Sequence, residues 1–320
     1  MAISKRVRHA TFYLLARTLI TLSQRLPRRL VLTLFGLLGY LIYLSAGGLR
    51  RRVLSNLEIA YGEQVPFRER KKLARRSFVE VARNAAEAAR LPILRMAEVD
   101  RIVEVRGMET VLQARARGKG LIAVTGHLGN WELIPVYFSL KGIPVNVIAR
   151  RLNDPRLDRL VVGYREKRGI RNIDRDLGAR TAFRCLRRGE ALGVLIDQDT
   201  RVESVFVDFM GRQASTPVGP AALAMRTGAP VVPVATYRDR DGRHIIEVGA
   251  PIELAAEGTE RELLRENTER LSKAVEKYIL CHPEQWVWIH ERWKTEPPAV
   301  RHGPGATQGR SIRVDRAIPS

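Results

Sequence analysis

The sequence predicts an α/β fold in which a largely parallel central sheet is flanked by helices and preceded by a membrane-associated N-terminal helix. Two observations carry this prediction. Between residues 121 and 248, apolar runs typical of buried strands alternate with segments of helical period, as in parallel sheets with crossover helices. Residues 30–49 contain no charged side chain. With 320 residues, 45% of them hydrophobic, the chain can bury a large core.

The uncharged stretch is the first of these elements in chain order. As a helix, its twenty residues would extend about 30 Å, the hydrocarbon thickness of a bilayer, and Arg29 and Arg50 flank it. Three interpretations stay open: a membrane anchor that spans or half-inserts, a buried helix of a soluble fold, and a cleaved signal peptide. Because both ends are basic, the orientation is undecided. We expect residues 1–52 to form membrane-anchoring helices.

The remaining elements are assigned from their period. A helix is predicted over residues 68–91, with basic residues at its start. The predicted strands are Leu121–Thr125, Val145–Ala149, Ala191–Ile196, Val231–Thr236 and His244–Val248, and helices are predicted near Trp131–Leu140, Pro155–Lys167, Gly178–Arg188, Pro217–Thr227 and Arg261–Leu280. We expect residues 53–295 to form one folded domain, and residues 296–320, rich in Pro, Gly and Arg, to form a disordered tail.

A histidine and a carboxylate follow the first predicted strand, in His127-Leu-Gly-Asn-Trp-Glu132. Gly126 ends the strand, so His127 lies in a turn before a helix, at the sheet edge where α/β proteins often bind ligands. If Glu132 folds back onto the imidazole, its carboxylate holds one ring nitrogen and leaves the other free to accept a proton. We predict that His127 is a general base oriented by Glu132. A capping histidine beside a solvated glutamate is the alternative.

Arg150 follows the second predicted strand and precedes Asn153 and an Asp-Pro turn. Parallel neighbouring strands end at the same edge, so Arg150 is expected near His127, where its planar guanidinium can hold an anionic group. Residues 150–175 contain eight arginines, and a solvated basic surface is the alternative for most of them.

Asp197 and Asp199 alternate at the end of the third predicted strand, so one is expected to face the site and the other the loop. Two interpretations stay open. The two carboxylates bind a metal ion, or one of them holds Arg150 or the headgroup of a substrate. We favour the second, and therefore predict a metal-independent site.

The segment Pro283-Glu-Gln-Trp-Val-Trp-Ile-His-Glu-Arg-Trp293 contains three tryptophans and a second histidine. Tryptophans at this density are typical of a core, of a membrane-interface belt or of a lipid-facing rim. His290 is a second candidate for a catalytic histidine, but we expect it to have a satisfied structural role.

Composition limits the possible functions. The net charge of +21 implies an acidic partner: nucleic acid, an anionic membrane or an acidic protein. Two cysteines exclude a disulfide framework and a cysteine-based zinc site. The sequence lacks a Gly-x-Ser-x-Gly elbow, a Walker A loop, a Gly-x-Gly-x-x-Gly fingerprint and a His-Glu-x-x-His motif. It also lacks a recognisable helix-turn-helix, which argues against nucleic acid.

Gly126-His-Leu-Gly-Asn-Trp-Glu132 resembles the signature of the bacterial lipid A biosynthesis acyltransferases, the lauroyl and myristoyl transferases within the lysophospholipid acyltransferase superfamily. Three further blocks follow in the family's order: the segment at Arg150, the Asp-x-Asp word at Asp197, and Ala229-Pro-Val-Val-Pro-Val234. Arg175 matches a family position more loosely. The resemblance covers about residues 10–295, with Leu128 where the family often has an aromatic residue.

The resemblance implies a glycerolipid acyltransferase-like fold, with residues 53–295 as the acyltransferase domain. It implies transfer of an acyl chain from an acyl carrier protein thioester to a hydroxyl of a lipid A precursor or related glycolipid, without a cofactor, at the cytoplasmic side of the inner membrane. An anionic membrane surface would be a further partner. The substrate-binding residues would be Gly129, Asn130, Arg150, Asn153, Arg175, Asp197 and Asp199.

Amides near Gly129 and Asn130 would bind the developing oxyanion. Two alternatives stay open: an acyltransferase for another lysolipid or a phosphoinositide mannoside, and a catalytically silent, basic lipid-binding module.

Overall fold

A computed structural model of the chain describes residues 5–298, which form a seven-stranded sheet and a separate two-stranded hairpin among helices. The strands are β1 Val103–Arg106, β2 Leu121–Thr125, β3 Val145–Ala149, β4 Arg171–Asp174, β5 Ala191–Leu195, β6 Ser204–Phe209, β7 Arg212–Pro217, β8 Val231–Arg238 and β9 His244–Val248. The helices are α1 Lys5–Arg25, α2 Arg28–Ser45, α3 Gly47–Tyr61, α4 Phe67–Ala88, α5 Met96–Ile102, α6 Met108–Ala116, α7 Leu133–Leu140, α8 Pro155–Glu166, α9 Ala179–Arg187, α10 Gly219–Thr227 and α11 Glu260–Cys281.

The sheet has the strand order β1-β9-β8-β2-β5-β3-β4. Neighbouring strands are parallel except for β8 and β9, which pair antiparallel, and β6 and β7 form the separate hairpin. The α/β class with a largely parallel central sheet, predicted from the sequence, is therefore confirmed. The tail predicted for residues 296–320 lies outside the described residues, except for residues 296–298, which have no regular secondary structure.

The central strand β2 divides the core into two apolar clusters, one on each face of the sheet. Ile122 and Val124 belong to the larger cluster, together with residues of α9, α10 and α11. Leu121 belongs to the second, together with residues of α6 and α7, and Ala123 packs against it. Because successive residues of a strand point to opposite faces, a strand with helices on both sides is apolar throughout.

The parallel arrangement brings the ends of four strands to one edge of the sheet. Thr125, the last residue of β2, pairs with Leu195, the last residue of β5. β3 lies on the other side of β5, and β8 on the other side of β2. The segments that follow β2, β3 and β5 therefore leave the sheet close together, and they carry the polar residues singled out in the sequence.

The apolar helix α2 packs on α4 through one narrow face. Gly36 and Gly39 are buried, and a Cβ at Gly39 would collide with the backbone of Phe78, so the two helices approach closely only because this position is glycine. The leucines of α2 at positions 30, 34, 37, 41 and 44 are 43–55% exposed. By length and composition, α2 could cross a membrane, and only 22% of it is buried. The predicted boundary after residue 52 falls within α3.

Glu87 of α4 connects the N-terminal helices to the β8–β9 hairpin through buried hydrogen bonds. Its carboxylate accepts from Arg28 (2.6 Å), Arg238 (2.5 Å) and His244 Nε2 (2.7 Å). Burial disfavours the charge of this carboxylate, but attraction by His244, Arg238 and Arg28 outweighs burial, and the pKa of Glu87 lies far below its usual range. The stabilisation by this network is therefore complete above the pKa of an unfolded glutamate, about 4.3, and is lost as the pH falls further.

We expect Glu87→Ala to lower the free energy of unfolding by about 2–3 kcal/mol, because Arg28, Arg238 and the buried His244 lose their shared carboxylate, while Arg238 keeps its ion pair with Glu80. Denaturant titration of the purified protein measures this change. Glu257 is exposed, and Glu257→Ala is the control, with an expected change of less than about 0.5 kcal/mol. Equally small changes in both variants would contradict a stabilising role for the network.

Candidate active site

The imidazole of His127 is held by the carboxylate of Asp197. The backbone amide of His127 donates to Asp197 Oδ2 (2.6 Å), and His127 Nδ1 lies 2.8 Å from Asp197 Oδ1. The two residues meet because each follows one of two adjacent parallel strands, β2 and β5. Asp197 thus takes the orienting position that the sequence analysis assigned to Glu132, and that prediction is corrected.

The carboxylate of Asp197 is charged although it is fully buried. Its relative exposure is 1%, and it accepts a third hydrogen bond, from Trp286 Nε1 to Oδ2 (2.7 Å). Burial alone would raise the pKa of Asp197, but attraction by His127 and hydrogen bonds from His127 and Trp286 outweigh burial and lower the pKa to about 2. A permanent negative charge therefore faces Nδ1, which favours the tautomer with the proton on Nδ1 and leaves Nε2 as the basic nitrogen.

Two glycines allow the turn that carries His127. At Gly126 a Cβ would lie 3.1 Å from Asp197 Oδ2, so a side chain there would push the carboxylate away from the imidazole. Gly129 has a φ of +54°, and a Cβ there would overlap the carbonyl oxygen of Thr236. The turn is also paired with the C-terminal segment, since the Gly129 amide donates to the carbonyl of Gln285 (3.0 Å). The Gly129 amide is therefore not available to an oxyanion, contrary to the prediction from the sequence.

Glu132 is bound by an arginine rather than by the histidine. Arg165 of α8 donates from Nε to Glu132 Oε2 (2.9 Å) and from Nη2 to Oε1, and from Nη1 to the side chain of Asn172 (2.7 Å). Such a two-pronged contact fixes the carboxylate in one orientation. Glu132 precedes the first residue of α7, so the ion pair attaches α8 to the start of α7.

An apolar cavity of about 370 Å³ opens beside His127. It extends along the sheet, where alternate residues of β2, β3 and β5 line it together with Ile148 and Val194, and it continues to α6 and α7. Its apolar lining includes Val111, Leu121, Ala123, Ile134, Phe138, Val145, Val147, Ala191 and Gly193. Its polar lining consists of Thr125, His127, Glu132, Arg150, Arg165, Arg175, Gln198 and Thr200. Among the described residues, His127 Nε2 has no hydrogen-bond partner.

The predicted substrate-binding residues divide into three groups. Arg150 and Arg175 line the apolar cavity, and the exposed guanidinium of Arg150 forms no ion pair or hydrogen bond within the described chain, whereas Arg175 pairs with Asp176 (3.0 Å). Asn153 is exposed and lies outside the cavity lining. Asn130 is buried and lines a different cavity. Of these four residues, only the two arginines line the same cavity as His127.

Asp199 and His290 have structural partners. The amide of Asp199 donates to His290 Nε2 (3.0 Å), and a carboxylate oxygen of Asp199 accepts from the amide of Thr295 (2.8 Å). Burial lowers the pKa of His290, which favours its neutral form. Neither Asp197 nor Asp199 contacts Arg150, and residues 5–298 contain no group of three or more potential metal ligands. Asp199 thus holds the C-terminal segment in place.

The three tryptophans of the C-terminal segment belong to the core. Trp286, Trp288 and Trp293 are 1%, 0% and 6% exposed, which resolves the three alternatives left open by the sequence. Two contacts of the site were not predicted from the sequence: Trp286 donates to Asp197, and Arg165 binds Glu132. The segment that begins with Pro283-Glu-Gln-Trp286 was singled out in the sequence, but nothing in the order of residues linked Trp286 to Asp197.

The sequence of the chain is similar to those of known acyltransferases. The profile of the family described as bacterial lipid A biosynthesis acyltransferase matches residues 1–295. The chain is 30% identical to the lipid A biosynthesis lauroyltransferase of Escherichia coli K12 over 248 residues, 77% of this chain and 79% of that protein. It is 26% identical to the lipid A biosynthesis acyltransferase of Haemophilus influenzae over 271 residues, 84% and 83% of the two chains.

A second group of similar proteins has a different lipid in its name. The chain is 30% identical to the phosphatidylinositol mannoside acyltransferase of Mycolicibacterium smegmatis over 174 residues, which are 53% of this chain and 57% of that protein. The similarity thus extends to acyltransferases named for two classes of glycolipid.

We expect Asp197→Asn to lower kcat of acyl transfer by roughly 10²–10⁴-fold, because an amide cannot fix the tautomer of His127 or balance the charge of an imidazolium. Steady-state kinetics measure the effect. Asp199→Asn changes the same residue type two positions away and is expected to keep kcat within about threefold. The double variant His127→Ala, Asp197→Asn should be no slower than His127→Ala alone. Additive losses would mean that the two residues do not act as a unit.

Proposed function

The chain belongs to the bacterial lipid A biosynthesis acyltransferase family, and from this premise we propose that it moves a fatty acyl chain from an acyl carrier protein thioester to a hydroxyl of a lipid A precursor or related glycolipid at the membrane. The observation that carries the proposal is the position of a free imidazole nitrogen beside an apolar cavity. The nitrogen accepts the proton of the acceptor hydroxyl, and the cavity binds the acyl chain.

His127 acts as the general base. Its Nε2 takes the proton of the acceptor hydroxyl while the hydroxyl oxygen attacks the carbonyl carbon of the thioester. The resulting tetrahedral intermediate collapses, the C–S bond breaks, and the imidazolium returns the proton to the departing sulfur. Asp197 stabilises the imidazolium throughout, because its buried carboxylate stays charged. A thioester is already activated, so the reaction needs no covalent nucleophile on the protein.

The acyl chain occupies the apolar cavity. Alternate residues of β2, β3 and β5 line it, so the cavity follows the strands for most of their length. Five residues of strand extend roughly 13 Å between the first and last Cα, and the cavity continues beyond them under α7. An extended hydrocarbon chain fits such a shape, and burying it supplies binding energy in proportion to its apolar area.

Two residues that line the apolar cavity bind the polar end of the acyl donor. Arg150 is exposed at the cavity and has no partner of its own within the described residues, so it can hold the phosphate of a phosphopantetheine arm. The hydroxyl of Thr200 is buried, lines the cavity and makes no hydrogen bond in the described chain, which makes it a candidate donor to the oxyanion. The net charge of +21 favours an acidic carrier protein as the source of the acyl chain.

α2 attaches the protein to the inner membrane, with the site on the cytoplasmic side. The support is its row of exposed leucines, its length, and the arginines at its start. A helix that belonged to a soluble core would bury these leucines. Attachment to the membrane would bring the site to a lipid acceptor that cannot leave the bilayer.

The proposal is tested by acyl transfer with purified full-length protein. We expect product with a carrier-protein thioester and a lipid A precursor, and none with His127→Ala. Coenzyme A thioester and a phosphatidylinositol mannoside, each substituted in turn, identify the donor and the acceptor. Activity with the mannoside alone would replace the proposed acceptor, and activity in His127→Ala would contradict the proposed base.

Arg150 and its neighbour Arg151 provide a test variant and a matched control for binding of the acyl donor. Arg150→Ala should raise KM for the carrier-protein donor by about tenfold or more, since it removes a charge-assisted contact. Arg151→Ala should leave KM nearly unchanged, because Arg151 is 78% exposed and pairs with Asp174. Equal effects in the two variants would reduce Arg150 to part of a general basic surface.

Gly193, the middle residue of β5, lines the apolar cavity and has no side chain to obstruct it. A Cβ at this position would meet Val147 and Asn146 at ordinary distances, 3.5 and 3.7 Å, so the strand tolerates a larger residue. We expect Gly193→Val to shorten the longest acyl chain transferred while shorter chains are still used. A competition assay with donors of several chain lengths measures the preference. An unchanged preference with an unchanged Tm would exclude the cavity as the acyl site.

A further inference from the structure

A second cavity, of about 470 Å³, lies against the catalytic turn and shares no lining residue with the apolar cavity. The turn that carries His127 separates the two cavities. Trp131 and Glu132 line the apolar cavity, whereas their neighbours Asn130 and Leu133 line the second. The rest of the second cavity comes from the start of α2, the end of α4, α5 and β9. It is called the basic cavity below.

Arginine is the most frequent residue type in the lining of the basic cavity. Four of them, Arg28, Arg29, Arg90 and Arg101, face two carboxylates, Glu87 and Glu98. Glu87 is already engaged by Arg28, Arg238 and His244. The side chains of Arg29 and Arg101 are exposed, and neither forms an ion pair within the described residues. The cavity therefore has an excess of positive charge, part of which is free to bind an anion.

Two buried polar side chains of the basic cavity are incompletely satisfied. Asn130 is 2% exposed, and its Nδ2 has no hydrogen-bond partner among residues 5–298. His244 is 1% exposed; its Nε2 contacts Glu87, while its Nδ1 has no hydrogen-bond partner in the part of the chain that the structure describes. Buried polar atoms are nearly always paired in folded proteins, so two exceptions in one cavity point to a bound group with hydrogen-bonding capacity.

We propose that the basic cavity binds the phosphate group of an anionic lipid, at a site separate from acyl transfer. Phosphate matches both observations: arginines bind its oxygens in a planar, two-pronged geometry, and its remaining oxygens accept hydrogen bonds from neutral donors such as Asn130. The apolar residues Leu91, Leu94 and Ile102 in the same cavity suit the carbon atoms next to the phosphate.

The position of the cavity identifies a lipid as the source of the phosphate. Arg28 and Arg29 stand directly before the exposed leucines of α2, of which Leu30 is 43% exposed. Arginines at the end of an apolar helix lie at the level of lipid headgroups. This step rests on the proposed attachment of α2 to the membrane, whereas the anion site itself rests on the cavity alone.

A bound phosphate would contact the turn that presents His127. Asn130 is adjacent to Trp131, whose ring packs edge-on against the imidazole at 4.9 Å between centroids. Occupancy of the basic cavity would thus stabilise the turn from the side opposite to the acyl chain. The lipid is a positioning ligand in this proposal and undergoes no reaction.

The test is calorimetric titration of the full-length protein in a neutral detergent with dioctanoyl phosphatidic acid. We expect one saturable site, bound about tenfold or more tightly than inorganic phosphate or dioctanoylglycerol. Arg29→Ala, Arg101→Ala should weaken binding by about tenfold or more. The control is Arg75→Ala, Arg76→Ala, which removes the same charge from exposed arginines of a different cavity and should leave binding unchanged.

Three outcomes would overturn the proposal. Inorganic phosphate that binds as tightly as the lipid would show a site for free phosphate, and dioctanoylglycerol that binds as tightly would show an apolar site. Equal loss in the two double variants would show diffuse attraction to a basic protein. Because the titration measures binding and not turnover, a failure of the proposed acyl transfer would leave this result unaffected, and the two failures are distinguishable.

Discussion

The buried charge of Asp197 is the constraint on which the site depends. A carboxylate that is 1% exposed stays ionised only when donors surround it, and here these are the amide and imidazole of His127 and the indole of Trp286. Each donor comes from a different part of the chain. Surrounding the two carboxylate oxygens of Asp197 with donors therefore requires three features of the fold. These are the adjacency of β2 and β5, the lack of a side chain at Gly126, and the packing of the C-terminal segment.

Strongly periodic segments could be predicted from the sequence, and short polar ones could not. The five strands expected between residues 121 and 248 are present within two residues of their predicted ends, because their apolar runs are long and bounded by turns. β4 was missed because it lies at the sheet edge, where Arg171 and Asp174 are tolerated in a strand. β6 was missed because its apolar run, residues 205–207, is only three residues long, and β7 was missed because its residues are polar, small or proline.

The partner of His127 illustrates what a single sequence leaves undetermined. The spacing of His127 and Glu132 suggested a pair, and both residues do lie at the predicted sheet edge. The actual partner depends on which strand lies beside β2, and β5 is inserted between β2 and β3, which precede it in the chain. Strand order is a long-range property. It is decided by the packing of whole helices, and local spacing contains no information about it.

The contact between Trp286 and Asp197 has a consequence for how the protein is made. Chains emerge from the ribosome with the N-terminus first, so α1 and α2 are available to a membrane long before residue 286 has been synthesised. Until then, Asp197 lacks its indole donor, and the turn at His127 lacks the segment with which it pairs. With the membrane attachment proposed for α2, the nascent chain would reach the bilayer before the proposed base is held in place. Catalytic competence would then begin only after translation is almost complete, with the protein already at the surface of the bilayer.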